Sequence, residues 1–218
     1  MRLCSPSNGW LAYDPAVDFT PPAAPTTQKG RERRAQILDA AAEAFAVQGY
    51  RNVSLASIAP VVGITAQGVM HYFPTKTDLL LGVLERRKER DTVHFTSMLR
   101  ELGITLPDLL IEVMRHNVED EPGLATLDAV IGAESVDPAH PTHGWYAARN
   151  ERLRRDLAVG VEQSKAAGEM RADLDASAIA AQILAMLDGL ILQWALEPGS
   201  LDVVAAMREY VRTLRAPD

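Results

Sequence analysis

The stretch Ser54–Lys76, SLASIAPVVGITAQGVMHYFPTK, decides how the chain is read. Ser54 is a residue type that caps a helix, and Thr65 can cap a second one. Gly63 stands between them, where a sharp turn needs the positive φ that glycine tolerates. Ala59 is small enough to let two short helices cross closely. Ile58, Val62, Ile64 and Val69 then supply a shared core. Pro60 falls inside the first of these helices and removes the bond to the Ala56 carbonyl, at a cost of about 3 kcal/mol in a regular helix. A helix that starts late, with Ser57 as its cap and Pro60 in the first turn, avoids that cost. The spacing predicts two short helices joined through Gly63-Ile64, a helix-turn-helix of the kind whose second helix enters the DNA major groove.

On this basis the second helix, Ala66 to Phe73, turns its first residues toward base edges. Thr65 can bond a phosphate through its hydroxyl or backbone N–H. Gln67 has the amide that pairs bidentately with adenine, and Ala66 can touch a thymine methyl. Gly68 costs roughly 1 kcal/mol in a helix interior relative to alanine, a cost that close backbone approach to DNA can offset. His71 and Tyr72 can reach phosphates or a base. Lys76 places a cation beside the free N–H groups of the next helix, a phosphate clamp. Ser54 and Arg34 complete the expected DNA-facing set.

Upstream, Ile37, Leu38, Ala41, Ala42 and Phe45 recur at helical spacing, and Gly49 marks a stop. The first turn of this helix carries Arg31, Arg33 and Arg34, the wrong sign for the helix dipole. They are therefore expected to serve an external anion such as a phosphate. Residues 29–76 sum to a net charge of +3 and residues 77–218 to −9, within a total of −7. A basic head of residues 29–76 on an acidic body of residues 77–218 fits a polyanion-binding module joined to a part that does something else.

Residues 1–28 hold five of the 13 prolines and no helical periodicity, and are expected to be a disordered extension. No signal-peptide pattern follows Arg2. Cys4 is the only cysteine, which excludes an intrachain disulfide framework and fits a reducing cytosol. Ile179 to Leu196 is almost continuously apolar, yet it contains Gln182, Asp188 and Gln193. An aspartate at bilayer depth costs roughly 2.5–3.5 kcal/mol, so this stretch is taken as a helix buried on several sides in a water-soluble protein.

Further helices are predicted from Lys76 to about Arg100, opened by a Thr75–Asp78 capping layout, and over about Leu106–Val118, Leu124–Ala133, Thr142–Ala167, Ala176–Leu196 and Leu201–Leu214. No alternating strand pattern appears, so the fold class is all-α. With 47% hydrophobic residues and only 6% aromatic ones, the core is expected to be mostly aliphatic.

The chain resembles TetR-family transcriptional regulators. Over about Arg31 to Leu80 the resemblance rests on Ile37-Leu38, Ala41-Ala42, Phe45, Gly49-Tyr50, Ile58-Ala59, Gly63-Ile64, Tyr72-Phe73 and Lys76. Further on it rests on Gly168–Asp173 (GEMRAD), Asp188-Gly189-Leu190 and Gln193-Trp194, which are similar to one branch of that family. The resemblance implies a three-helix DNA-binding head, a helical effector domain, a homodimer and a cytoplasmic repressor released from operator DNA by a small molecule. Met70 departs from the pattern, standing where the family often has a tyrosine, which puts one phosphate contact in doubt or passes it to His71.

The apolar surplus of Ala176–Leu196 asks for a second copy across a two-fold axis, with the last helix as a further wall. The interface is expected to use Leu187, Leu190, Ile191, Trp194, Val204, Met207 and Val211. Polar and aromatic groups within helices are the candidates for an effector pocket: His94, Phe95, Met98, Met114, Asn117, Glu134, Trp145, Tyr146, Arg149 and Gln182. His140 and His143 have a spacing that could suit a metal, but the sequence places no third ligand, so no metal or cofactor is assigned. Two other functions fit parts of the pattern. A constitutive architectural DNA binder would have a solid body without a pocket. An all-α enzyme would need a nucleophile–base pair, a phosphate loop or a metal motif, and none is found.

Overall fold

The computed structural model describes residues 25–217, and the secondary structure there is helical. Of the extension expected over 1–28, residues 1–24 lie outside the described residues, with Cys4, Trp10, Leu11, Tyr13 and Phe19. Its last residue, Gln28, instead opens the first helix. The helices are α1 (Gln28–Gln48), α2 (Leu55–Ile58), α3 (Ala66–Tyr72), α4 (Lys76–Glu101), α5 (Leu106–Arg115), α6 (Pro122–Glu134), α7 (His143–Ala166), α8 (Ala176–Leu196) and α9 (Val203–Leu214).

Local chemistry sets the ends. The Thr27 side chain accepts from the Gly30 N–H to start α1, and Gly49 ends it with φ of 77°. Thr75 and Asp78 form the reciprocal cap that opens α4. Pro60 avoids the expected penalty in a different way from a late start. Ser54 caps α2, in a reciprocal pair with Ser57 at 3.0 and 3.1 Å, and the helix ends at Ile58, before the proline. The turn after it closes with the Ile64 N–H on the Ala59 carbonyl at 3.1 Å, and Gly63 has φ of 68°.

Gly168, with φ of 76°, ends α7 and begins the GEMRAD segment. Met170 pairs in an isolated antiparallel bridge with Arg215. The Arg171 N–H bonds the Leu214 carbonyl at 3.0 Å, and the Ala216 N–H bonds the Glu169 carbonyl at 3.1 Å. The segment is a structural clasp that binds the chain end to the turn between α7 and α8.

Two apolar cores result. The head core joins Ile37, Leu38, Ala41 and Phe45 of α1 to Ile58, Val69, Phe73 and the first turns of α4, Leu79–Leu84. It extends into the body through Leu124, Leu127 and Ile131 of α6 and through Trp145 and Tyr146 of α7. The body core gathers α5, α7, α8 and α9 around Phe95 and Leu99 of α4. Hence α4, 26 residues and about 39 Å long, runs through both cores. The head also rests on α6 at a close approach: a Cβ on Gly123 would lie 2.5 Å from the Ala46 Cβ and 3.0 Å from the Ala46 carbonyl oxygen.

On α7, burial pushes the Asp156 carboxyl up from 3.8 to about 6, against the pull of Arg152 and Arg155. The folded protein therefore holds this proton more tightly than the unfolded chain does. The stabilisation is present below roughly pH 4 and lost as pH rises through about 6. Relative to wild type, Asp156→Asn is expected to gain stability between about pH 4.5 and 7.5, read as urea midpoints. A difference independent of pH would contradict this.

Candidate nucleic-acid interface and body cavity

The outward face of α3 is set by its cap and its one deeply buried residue. Thr65 accepts from the Gly68 N–H, and Val69 is sealed in the head core. Gln67, Met70 and His71, at relative positions i, i+3 and i+4, then share the exposed side with Thr65. The His71 and Tyr72 rings meet edge to face at 5.5 Å, and Tyr72 is half-buried against the head core. Ala66 is half-buried against the head core, and Ser54 is exposed at the α2 cap. A Cβ on Gly68 would find only ordinary contacts, the nearest at 3.4 Å to Ile64. Nothing within the head requires a glycine there.

The first-turn arginines, expected to serve an external anion, also make contacts within the head. Arg33 donates to the Val62 carbonyl at 2.7 Å and so holds the turn of the motif. Arg31 donates to the Thr26 carbonyl at 2.7 Å. Arg34 is half-buried with its guanidinium 4.9 Å over the Phe73 ring, a cation–π contact that supports the end of α3. Lys76 is also engaged: its ammonium donates to the Arg51 carbonyl at 3.1 Å and lies 4.4 Å over the Tyr50 ring. Partial burial lowers its pKa from the ordinary lysine value.

The body contains a cavity of about 550 Å³ between α4, α5, α6, α7 and α8. Its walls are largely aliphatic, and its polar groups fall into two clusters. In one, Tyr146 donates its hydroxyl to Asp128 Oδ1 at 2.6 Å, and Arg149 donates to Asp128 Oδ2 at 3.2 Å. Burial alone would raise the Asp128 pKa, but Arg149, Arg87 and the Tyr146 hydroxyl outweigh it and hold the carboxyl below its ordinary value. Burial and the Asp128 charge push the Tyr146 phenol up, so it remains a donor. Asp188, nearby on α8, is raised by burial and pulled down only in part by Arg149.

The other cluster centres on Arg87 of α4. It donates to the Leu124 carbonyl of α6 at 2.8 Å and to Asn117 Oδ1 at 2.5 Å. Asn117 is presented by a single π-helical turn, His116–Asp120, that follows α5. Trp145 donates its indole N–H to Glu85 at 3.0 Å, and Glu85 pairs with Lys88.

Of the predicted pocket residues, Phe95, Asn117, Trp145, Tyr146 and Arg149 line this cavity, and five do not. His94 is exposed and stacks on His116. Met98 packs against the body core, and Met114 is fully buried in it. Glu134 pairs with Arg51 of the head at 2.5 Å. Gln182 is exposed on the outer side of α8. Sequence reasoning missed Arg87, Lys88, Asp91 and Asp128, all at the cavity wall. Nothing in their spacing singles them out, because α4 and α6 meet only in the fold. His140 and His143 are tied into the loop before α7, to Thr142 Oγ1 and to the Ser135 carbonyl, each at 2.8 Å.

Among the described residues, Asp91, His116 and Glu121 bring metal-type ligand atoms within 4.8 Å of one another. Arg87 Nε already lies 3.6 Å from Asp91 and 3.2 Å from Glu121, and Arg90 lies 2.8 Å from Glu121. A divalent cation would meet two fixed guanidinium charges, so the donor set does not suit one.

Of the seven expected interface residues, four are turned inward. Leu190, Ile191, Met207 and Val211 are buried within the protomer, Met207 completely. Leu187 is at the cavity wall, and Trp194 and Val204 pack half-buried against the body core. The side of α8 left open instead carries Ala178, Ala181, Ala185, Asp188, Leu192 and Leu196. α8 is long and apolar enough to cross a membrane by length and composition, with mean hydropathy 1.7, yet only 33% of that window is buried in one protomer.

Comparison with known proteins agrees with this architecture. Residues 37–83 match the profile of bacterial regulatory proteins of the tetR family, and residues 142–216 match the C-terminal profile of BetI-type transcriptional repressors. The transcriptional regulator BetI of Burkholderia thailandensis is 30% identical over 191 residues, covering 85% of this chain and 94% of that protein. TtgR of Pseudomonas putida is 23% identical over 208 residues, covering 86% and 92%. A TetR-family regulator from Cytophaga hutchinsonii shares the fold with a TM-score of 0.72 at 18% identity, covering 89% of this chain and all of that one. With a matching head profile, a matching body profile and a 30% identical relative aligned over nearly its whole length, the chain belongs to the TetR family of bacterial helix-turn-helix transcriptional regulators.

Proposed function

We propose that this regulator is a cytoplasmic homodimeric repressor whose heads bind the two halves of a near-palindromic operator and release it when a small molecule fills the body cavity. Thr65, Ala66, Gln67, Gly68 and His71 address the groove, with Ser54, Tyr72 and Lys76 toward phosphates. Arg34 supports them through Phe73. Recognition helices of such a dimer sit about 34–36 Å apart, one turn of the duplex.

One observation carries the effector part: the cavity walls are the elements that support the head. α4 reaches from the cavity into the head core, and α6 lines the cavity with Asp128 and Ala129 while Gly123 presses on α1. Arg87 links the two helices at the Leu124 carbonyl, one residue from that contact. A ligand that shifts α4 or α6 changes the seat of the head, provided it binds the two arrangements with different affinities. A body with such a cavity does not fit the constitutive binder, for which a solid body was expected.

Selection of bound duplexes from a random pool tests the groove assignment. Gln67→Ala is expected to lose preference at one inner half-site position, at a cost of about 1–3 kcal/mol. An unchanged base profile would remove Gln67 from the readout. Gly68→Ala is expected to stabilise the head by about 0.5–1 kcal/mol while weakening binding to the selected duplex, because the added methyl adds bulk beside Thr65 at the DNA-facing start of the helix. Undiminished DNA affinity would contradict the close approach. Gly123→Ala forces α6 away from Ala46 and is expected to cost about 1–3 kcal/mol of stability and to lower DNA affinity more than an exposed control such as Gly144→Ala. Equal affinities would break the proposed link between body and head.

A further inference from the structure

The charges around the cavity do not pair off completely. Arg87 is shared between Asp91 and Glu121, Lys88 pairs with Glu85, and Arg149 pairs with Asp128. Arg152 acts on Asp156, whose carboxyl it pulls down. Asp91 and Asp128 therefore each have a guanidinium. Asp188 does not: among the described residues, the cation that acts on it is Arg149, which is already bonded to Asp128. Asp188 stands at the edge where the cavity side of α8, with Leu184, Leu187 and Ile191, meets its open side. The exposed lining residues are Ala133, Asp188 and Leu192, while the other charged lining residues are buried or half-buried. A molecule at the mouth thus meets a negative charge first. Behind it the walls are aliphatic, with Leu109 and Leu110 of α5 and Leu153 and Leu157 of α7.

This arrangement selects against an anion. A carboxylate or phosphate would have to pass Asp188 and then take a guanidinium from Asp91 or Asp128, leaving a buried acid unpaired. It also offers little to a quaternary ammonium, which is held by open aromatic faces. Trp145 and Tyr146 meet edge to face at 4.8 Å, with the Arg149 guanidinium 6.0 Å over Tyr146. Phe95 meets His94 at 5.0 Å and His116 at 5.5 Å. These rings are taken up by the protein's own groups. What Asp188 lacks is a charged N–H donor, the partner that gives a carboxylate its strongest hydrogen bonds. We infer that the effector is an apolar amine, protonated near neutral pH, whose ammonium donates to Asp188 at the mouth while its hydrocarbon part lies between the aliphatic walls. Long cationic side chains place themselves in the same way, with the stem on apolar surface and the charge toward water. The inference rests on the effector reading of the preceding section and adds the chemical class of the ligand. The bound ammonium also replaces the water that burial has taken from the Asp188 carboxyl.

Four probes that share one chain separate the classes: decylamine, decyltrimethylammonium, decanol and decanoate. Each is titrated calorimetrically, below its micelle concentration, into the wild-type protein, Asp188→Asn and Asp188→Glu. Decylamine is expected to bind the wild type about tenfold or more tightly than each of the others. Asp188→Asn is expected to lose that margin while its decanol affinity stays within about twofold of wild type, and Asp188→Glu, which keeps the charge, to retain it. Decanoate binding tightest, or amine and alcohol binding alike, would overturn the inference and leave the cavity standing as a ligand site. So would an Asp188→Asn protein that keeps the full preference for the amine. A cavity that takes none of the four, decanol included, would remove the effector reading and this inference together.

Discussion

Everything in the molecule depends on one helix being shared by two cores. The first turns of α4 are buried in the head against α1 and Phe73, and Phe95 and Leu99 further along are buried in the body. Between them stand Glu85, Arg87 and Lys88, charges drawn to the inner side of a helix whose outer side is itself charged. Neither core can repack without moving the other end of the same rigid element. α6 adds a second constraint, since one of its faces completes the head core and the other forms cavity wall. The head is therefore not a bead on a string: its orientation is a packing property of the body.

The cavity interior follows the general rule for buried charge, that it is kept only when paired. Asp128 satisfies both of its oxygens on Tyr146 and Arg149, and Arg87 is shared among a carbonyl, an amide and two carboxylates. These groups form fixed walls with known donors and acceptors, and the aliphatic surface between them supplies most of the contact area. Asp188 is different. It has no hydrogen bond of this kind and is exposed on the outer side of α8.

The helix ends were accessible from single residues. Thr75-Lys76-Thr77-Asp78 starts α4, and Gly49, Gly63 and Gly168 adopt the positive φ that their positions suggested. The motif around Gly63 was readable because turn chemistry is local. Burial was not. α8 is apolar on nearly every side, so periodicity could not say which side turns inward, and Leu190 and Ile191 went to the protomer's own core while the alanine ridge was left outside. The apolar stripe of α9 was legible, but a stripe does not say whether it faces its own protomer or a second copy; Met207 and Val211 are buried in the protomer, where α9 packs on α5. Arg34 shows the equivalent limit for charge: a basic residue on a DNA-binding head can be occupied by a neighbouring ring. The cavity was half anticipated because aromatic residues stand out in a sequence of few aromatics. Arg87 and Asp128 are ordinary surface types until the fold brings α4 and α6 together.

The clasp between Glu169–Arg171 and Leu214–Ala216 has a consequence for α8 and α9. Arg215 and Ala216 are bound back to the turn at Glu169–Arg171, and Arg215 also pairs with Asp108 at the start of α5. The segment containing α8 and α9 is thus a closed loop rather than a free terminal arm. A helix pair whose two flanks are tied together cannot peel away from one side alone, so opening must first break this knot. α8, which lines the cavity, and α9, which packs on α5, are thereby held among the slowest parts of the protein to open.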